Sequence, residues 1–215
     1  MKFMSVAQRT TTPNPSPRRV SRRSPALTRV RLVAAGTELF AEHGLHAITS
    51  VQIARHAGLA TGTFYLHFAD KLELFRAIVF EALAELRARQ DAAGAMHPPG
   101  TQAELRARTE VFLDFAEERR ALMRVLFARS AEAAGIAEEI AGVIAPAIER
   151  RYQALQAAGQ MTRDVHAGAA AQMRAASLVR IAAWWTEDPT RASRREVATT
   201  LLELDPGAFA PAGNS

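Results

Sequence analysis

The chain has 215 residues, of which 48% are hydrophobic and 23% charged, enough apolar material to bury a core and too much for an unfolded polar chain. No apolar run approaches the roughly 20 residues of a membrane-spanning helix. The first residues lack the apolar centre of a secretory leader, and with no cysteine there are neither disulfides nor thiolate metal sites. The formal charge of +5 is unevenly held, since eight of the 27 basic residues and none of the 22 acidic ones fall within residues 1–31.

That basic stretch opens the chain. Residues 1–25 are rich in Thr, Pro, Ser and Arg and read as a disordered tail. An arm of this charge beside a DNA-reading unit would add salt-dependent phosphate contacts. From residue 28 to residue 204 apolar residues recur at helical spacing, strand signals are scarce, and strong helix formers dominate. The pattern predicts an all-α protein of about nine helices.

The first helix is expected over 28–43, with Val30, Val33, Ala34, Thr37, Leu39 and Phe40 as its buried stripe and Gly44 as its stop. The second, over 50–57, opens on Thr49 and Gln52, which have the spacing of a capping box. After Gly58 a third short helix covers 61–67. Asp70, with Glu73 three residues on, opens a fourth that runs to about 93. The loop 94–100, GAMHPPG, is the clearest break. Thr101 and Glu104 open a fifth helix to about 117, and a sixth covers 119–132. The seventh, 136–158, contains Pro146, which should kink or break it. The eighth covers 164–187, and Ser193 and Glu196 cap the ninth, to about 204.

Residues 49–68 combine two short helices, a Gly-containing turn, and a second helix with small, hydroxyl and aromatic residues. That is the shape of a helix-turn-helix, whose second helix enters the DNA major groove. Gly62 and Thr63 near the start of this helix allow close approach. Thr61 and Thr63 offer hydroxyls, Tyr65 a phenol, and His67 a ring at the helix end. Lys71 is a natural phosphate partner. Thr49, at the start of the preceding helix, completes the DNA-facing set. Phe64 and Phe68 are assigned to the core.

The segment LVAAGTELFAEHG, followed by IARHAGLATGTFYLHFADKLELF, resembles the TetR family of bacterial regulators over about 60 residues, 26–86. Several features stand in register: Leu39 to Gly44, Ile53-Ala54, Ala57-Gly58, Gly62 to Tyr65, His67-Phe68 and Lys71. The resemblance implies an N-terminal three-helix DNA-binding domain over 26–86, a larger helical ligand-binding and dimerisation domain over 87–205, and a flexible tail over 206–215. It further implies that Tyr65, His67 and Lys71 contact phosphates while the start of the recognition helix reads bases. The chain departs from the family pattern at Ile48, Ser50 and Thr61. The last position often carries a Lys or Arg in the family.

By the same resemblance the protein is a cytoplasmic, nucleoid-associated homodimer. It would grip a pseudo-palindromic site in double-stranded DNA and release it when a small-molecule effector binds. The two C-terminal helices would form the dimer interface, with Val165, Ala169, Met173, Ala176, Val179 and Ala183 as one stripe of the eighth. Phe112, Phe115, Met123, Phe127, Met161, Trp184 and Trp185 are the pocket candidates, because Met and aromatic side chains suit an adaptable apolar cavity. Arg180 is a candidate partner for an anionic ligand.

Competing readings are an architectural, non-specific DNA binder and a ligand-dependent activator. An enzyme is not expected. The six histidines show no metal-ligand spacing, and neither a phosphate loop nor a nucleophile elbow is present. No cofactor or metal is expected.

Overall fold

The computed structural model describes residues 24–127, 131–205 and 207, with side chains left undescribed for 131–133. Most of the expected basic tail 1–25 and most of the expected C-terminal tail 206–215 thus lie outside the described residues.

Among the described residues there are nine helices and no strand: α1 Pro25–His43, α2 Ser50–His56, α3 Thr61–Tyr65, α4 Lys71–Gly94, α5 Gln102–Glu118, α6 Arg120–Leu126, α7 Ala131–Ala157, α8 Ala167–Glu187 and α9 Arg194–Glu203. No helix among them is long and apolar enough to cross a membrane.

Local chemistry explains most of the ends. α2 and α9 begin with the expected capping boxes, Thr49 with Gln52 and Ser193 with Glu196. Asp70 accepts from the backbone N–H groups of Leu72 and Glu73 and so starts α4. The box expected at Thr101 forms only by half. Thr101 accepts from the Glu104 N–H, whereas the Glu104 carboxylate turns to the Gly100 N–H. α1 starts earlier than expected because Pro25, with no N–H to satisfy, suits the first turn. α8 starts later than expected. Asp164 is engaged with Thr162, and the His166 ring caps the helix by accepting from the Ala169 N–H. α7 begins earlier than expected, in an Ala-rich stretch of high helix propensity. It does not break at Pro146. The carbonyl of Gly142 that proline deprives of a donor lies on an exposed turn, where water serves.

One apolar core runs through both halves of the molecule. Leu32, Phe40, Ile53, Phe64, Phe68, Leu74 and Phe75 fill the space among α1, α2, α3 and the start of α4. The Phe40 and Phe75 rings meet edge-on with centroids 5.5 Å apart. Gly36 lets α1 approach α4, since a Cβ there would stand 2.7 Å from Leu74 Cδ2. The stripe expected on α1 is rotated. Thr28, Leu32, Ala35, Gly36 and Phe40 are buried, while Val30 is 61% exposed and Ala34 is exposed as well. Leu32, Ala35-Gly36 and Phe40 hold the helical period, Val33 and Leu39 pack partly buried at its edge, and Val30 falls off it.

Beyond that core, α4 packs on α5, α7 on α8, α6 lies against both α1 and α8, and α9 closes over α5. A smaller cluster, Tyr152, Leu155, Met161, Ala167, Ala170 and Ala171, joins the far end of α7 to α8. Beside it Arg174 is buried. Its Nε lies 3.2 Å from Asp205 and its Nη1 donates to the Leu201 carbonyl at 2.8 Å, pinning the end of α9 to α8. Removing one member of a buried pair strands the other. Arg174→Met is therefore expected to lower unfolding free energy by about 3 kcal/mol, and urea denaturation of the two proteins provides the comparison. A loss well below 1 kcal/mol would mean that Asp205 finds other partners.

Candidate nucleic-acid interface and interior cavity

The turn between α2 and α3 is held from α1. The Arg31 Nη2 donates to the carbonyl of Ala57 and, at 3.4 Å, to that of Gly58. Gly58 has φ 62, and a Cβ on it would stand 2.9 Å from Arg31 Nη2. The position thus needs glycine both for its left-handed backbone and for the arginine. Arg29, also on α1, ion-pairs with Glu81 of α4 and lies over the Phe68 ring at 5.4 Å. The basic residues of α1 that the sequence assigned to a charged leader therefore act in the fold.

Lys71 is likewise engaged. Its Nζ donates to the carbonyls of Ile48, at 2.8 Å, and His46, at 3.2 Å, fastening the first turn of α4 to the loop before α2. An ammonium has three donors, so one remains for a phosphate. Thr49 caps α2, and its hydroxyl donates to the Gln52 side chain at 2.8 Å. Thr61 and Gly62 are exposed at the start of α3, Thr63 and His67 are half-buried, and Tyr65 is 54% exposed. Nothing lies within 4 Å of a Cβ built on Gly62, so packing within the chain does not require glycine there. Phe64 and Phe68 are core, as expected. Sequence reasoning passed over Arg55, exposed in the last turn of α2, and Leu66, 82% exposed after α3.

The second half encloses a cavity of about 370 Å³ walled by α4, α5, α6, α7 and α8. Of the expected pocket residues, Phe112, Phe115, Met123 and Phe127 line it. Met161 does not, being buried in the smaller cluster. Arg180 is exposed on the outer side of α8. Trp184 lies under Arg191, 6.0 Å from its ring centre, and Trp185 is core, its Nε1 donating to the Ala192 carbonyl at 3.0 Å. Helix α8 turns Leu178, Val179 and Ala182 to the cavity, and Arg180 and Trp184 fall off that face.

The cavity has two unlike ends. Val79, Leu83, Phe112, Phe115, Met123 and Ile140 make one apolar. At the other stand Asp91, Glu104, Arg108, Arg151, Tyr152, Arg174 and Asp205, a group the sequence reading did not assemble. Burial alone would raise the Glu104 carboxyl. The Gly100 N–H, Arg108 and Arg151 instead hold it below the usual carboxylate range. Burial and the neighbouring Asp205 charge push the Tyr152 phenol well up, so it remains a neutral donor to Asp205.

A helix-turn-helix supported by α1 and α4, joined to a larger helical unit around a cavity, is the architecture of a helix-turn-helix DNA-binding protein with a second helical unit. Residues 32–78 match the model of the bacterial regulatory proteins of the tetR family, so this segment of the chain is a helix-turn-helix unit of the tetR type. It is 39% identical over 57 residues to the transcriptional repressor BepR of Brucella suis, 26% of this chain and 27% of that one. It is 33% identical over 99 residues to the transcriptional activator FasR of Mycolicibacterium smegmatis, 46% and 45% of the two chains. The matched segments thus span less than half of these relatives. In fold it is similar to the fatty acid degradation regulator FadR from Bacillus halodurans, with a TM-score of 0.72, 18% identity and coverage of 85% and 96%. It is also similar to SmeT in a complex with triclosan, with a TM-score of 0.70, 22% identity and coverage of 86% and 93%.

The two roles of Lys71 separate experimentally. Lys71→Met is expected to lower thermal stability, through loss of the tie to Ile48 and His46. It is also expected to reduce the salt slope of DNA binding by about one. A stability loss with an unchanged slope would leave Lys71 as a tether alone.

Proposed function

We propose that the protein is a homodimeric repressor that holds a pseudo-palindromic operator through two copies of α3 and leaves it when an apolar small molecule fills the cavity. The observation that carries this reading is the course of α4. Its first turn holds the loop before α2 through Lys71, and its later turns present Val79, Leu83 and Leu86 to the cavity. A ligand that displaces this helix displaces the reading head with it.

On the DNA side, Thr61, Gly62 and Thr63 are proposed to meet base edges, and Thr49, Tyr65, His67 and Lys71 the backbone. Arg55 joins them by its exposure on α2. On the ligand side, Phe112, Phe115, Met123 and Phe127 are proposed contacts. The fold neighbour SmeT, solved in a complex with triclosan, supports a small-molecule role for a unit of this shape.

The dimer is proposed through α8 and α9. The stripe expected on α8 is divided in the structure: Ala183 is buried and Val179 lines the cavity, whereas Ala169, Met173 and Ala176 are exposed. With Gln172, Ser177 and Arg180 they form an outward face at helical spacing, on which Met173 is 73% exposed. Small side chains there allow close approach of a second helix. Ala176→Arg is expected to convert a dimer into a monomer by sedimentation velocity. An unchanged sedimentation coefficient would move the interface elsewhere.

Selection of binding sites from random DNA, with the full chain at near-physiological salt, tests the main reading. The expected result is a two-fold symmetric consensus bound about a thousandfold or more tightly than random DNA. Retention of DNA with no consensus would favour an architectural binder.

A further inference from the structure

The apolar end of the cavity accepts any greasy molecule of suitable size, but the polar end does not treat charges alike. Its carboxylates are already served. Asp205 accepts from the Gly207 N–H at 2.8 Å and the Tyr152 hydroxyl at 3.3 Å, and it pairs with Arg174. Glu104 accepts from the Gly100 N–H at 2.6 Å and from Arg108 at 2.9 Å, and Arg108 also reaches Asp91. Arg151 is served poorly. Its guanidinium lies 4.0 Å from Glu104 and 3.9 Å from Asp205, beyond hydrogen-bond length, and its buried Nε has no hydrogen-bond partner among the described residues.

A guanidinium carries five donors and no acceptor. An incoming cation would therefore meet carboxylates already paired with arginines, while an incoming anion meets the Arg151 guanidinium, which lacks a close acceptor. α7 also sets the direction. Ile140, Ile144, Ile148 and Arg151 follow one another along a single helical face toward the cavity, so roughly 16 Å of helix leads from apolar wall to charge.

Resting on the reading of this cavity as the effector site, we propose that the effector is an amphipathic monoanion: an apolar body among Phe112, Phe115 and Phe127, with a carboxylate or like head on Arg151. The cavity thereby selects by head-group charge as well as by size.

The probes are dodecanoate, dodecanol and dodecylamine below their micelle concentrations, titrated calorimetrically into the full chain. Dodecanoate is expected to bind roughly ten- to hundredfold more tightly than dodecanol, the range of a charge-assisted hydrogen bond, and dodecylamine more weakly than either. In Arg151→Met the carboxylate-to-alcohol ratio is expected to fall to near one, and in Arg151→Lys to recover in part. Because the readout is a ratio within one protein, a general loss of affinity in the variant does not mimic the result. Leu178→Trp, which puts a large side chain into the cavity, is expected to abolish binding of all three probes while retaining helix content and cooperative melting.

A wild-type ratio near one, a preference for the amine, or a carboxylate preference that survives Arg151→Met would overturn the inference and leave the cavity as an effector site of another selectivity. Binding that persists in Leu178→Trp, or no binding of any probe to the wild type, would overturn it together with that reading.

Discussion

Helix α4 is the element on which the rest depends. At 24 residues it spans about 36 Å and belongs to both halves of the molecule. Leu74, Phe75 and Ile78 are buried against α1, so its first half cannot leave the DNA-binding unit without opening that core. Val79, Ala82, Leu83 and Leu86 continue along the helix into the cavity wall. No break separates the two stretches. The helical period carries one buried face from the first core into the second, which is why a single apolar cluster runs through both.

Around that helix, basic side chains act as fasteners for backbone carbonyls. Arg31 holds the α2–α3 turn, Lys71 the loop before α2, and Arg174 the end of α9. The carbonyls that Arg31 and Arg174 meet belong to helix ends, which lack intrahelical partners, and a cation there satisfies both the hydrogen bond and the local negative potential, whereas those that Lys71 meets belong to a loop. In the DNA-binding unit this has a further effect. The Lys71 side chain is already ordered by its carbonyl contacts, so for the proposed phosphate contact part of the entropy of ordering a long side chain would be spent in folding.

The DNA-binding half was legible because its signals are local. A capping box, a left-handed glycine and aromatic residues at helical spacing each need only a few neighbouring residues to be recognised. The structure places Thr49, Gly58, Phe64 and Phe68 in those structural roles. The support beneath was not legible, because Arg31 and Lys71 find their partners 26 and 23 residues away in the chain. The cavity was legible by half for the same reason. Phe112 and Phe115 lie on α5, Met123 on α6 and Phe127 just after it, a short span of chain whose aromatic and Met content stands out. The polar end draws Glu104, Arg151, Arg174 and Asp205 from four separate parts of the chain. Composition could not distinguish Trp184 and Arg180 from cavity residues. Only the rotation of α8 does.

The two ends of the cavity also bear differently on switching. A ligand shifts a conformational equilibrium only by the difference between its affinities for the two states. The polar end is braced by Arg108 and Arg174, which tie together the ends of α4, α5, α8 and α9, and contacts made there gain little from a change of shape. The apolar end is walled by α6, a short helix that packs on α1. Volume inserted between α4 and α6 presses on two supports of the reading head at once. On the proposed reading, the head group of an effector would govern which molecule is admitted, and the bulk of its apolar body would govern how far the equilibrium moves.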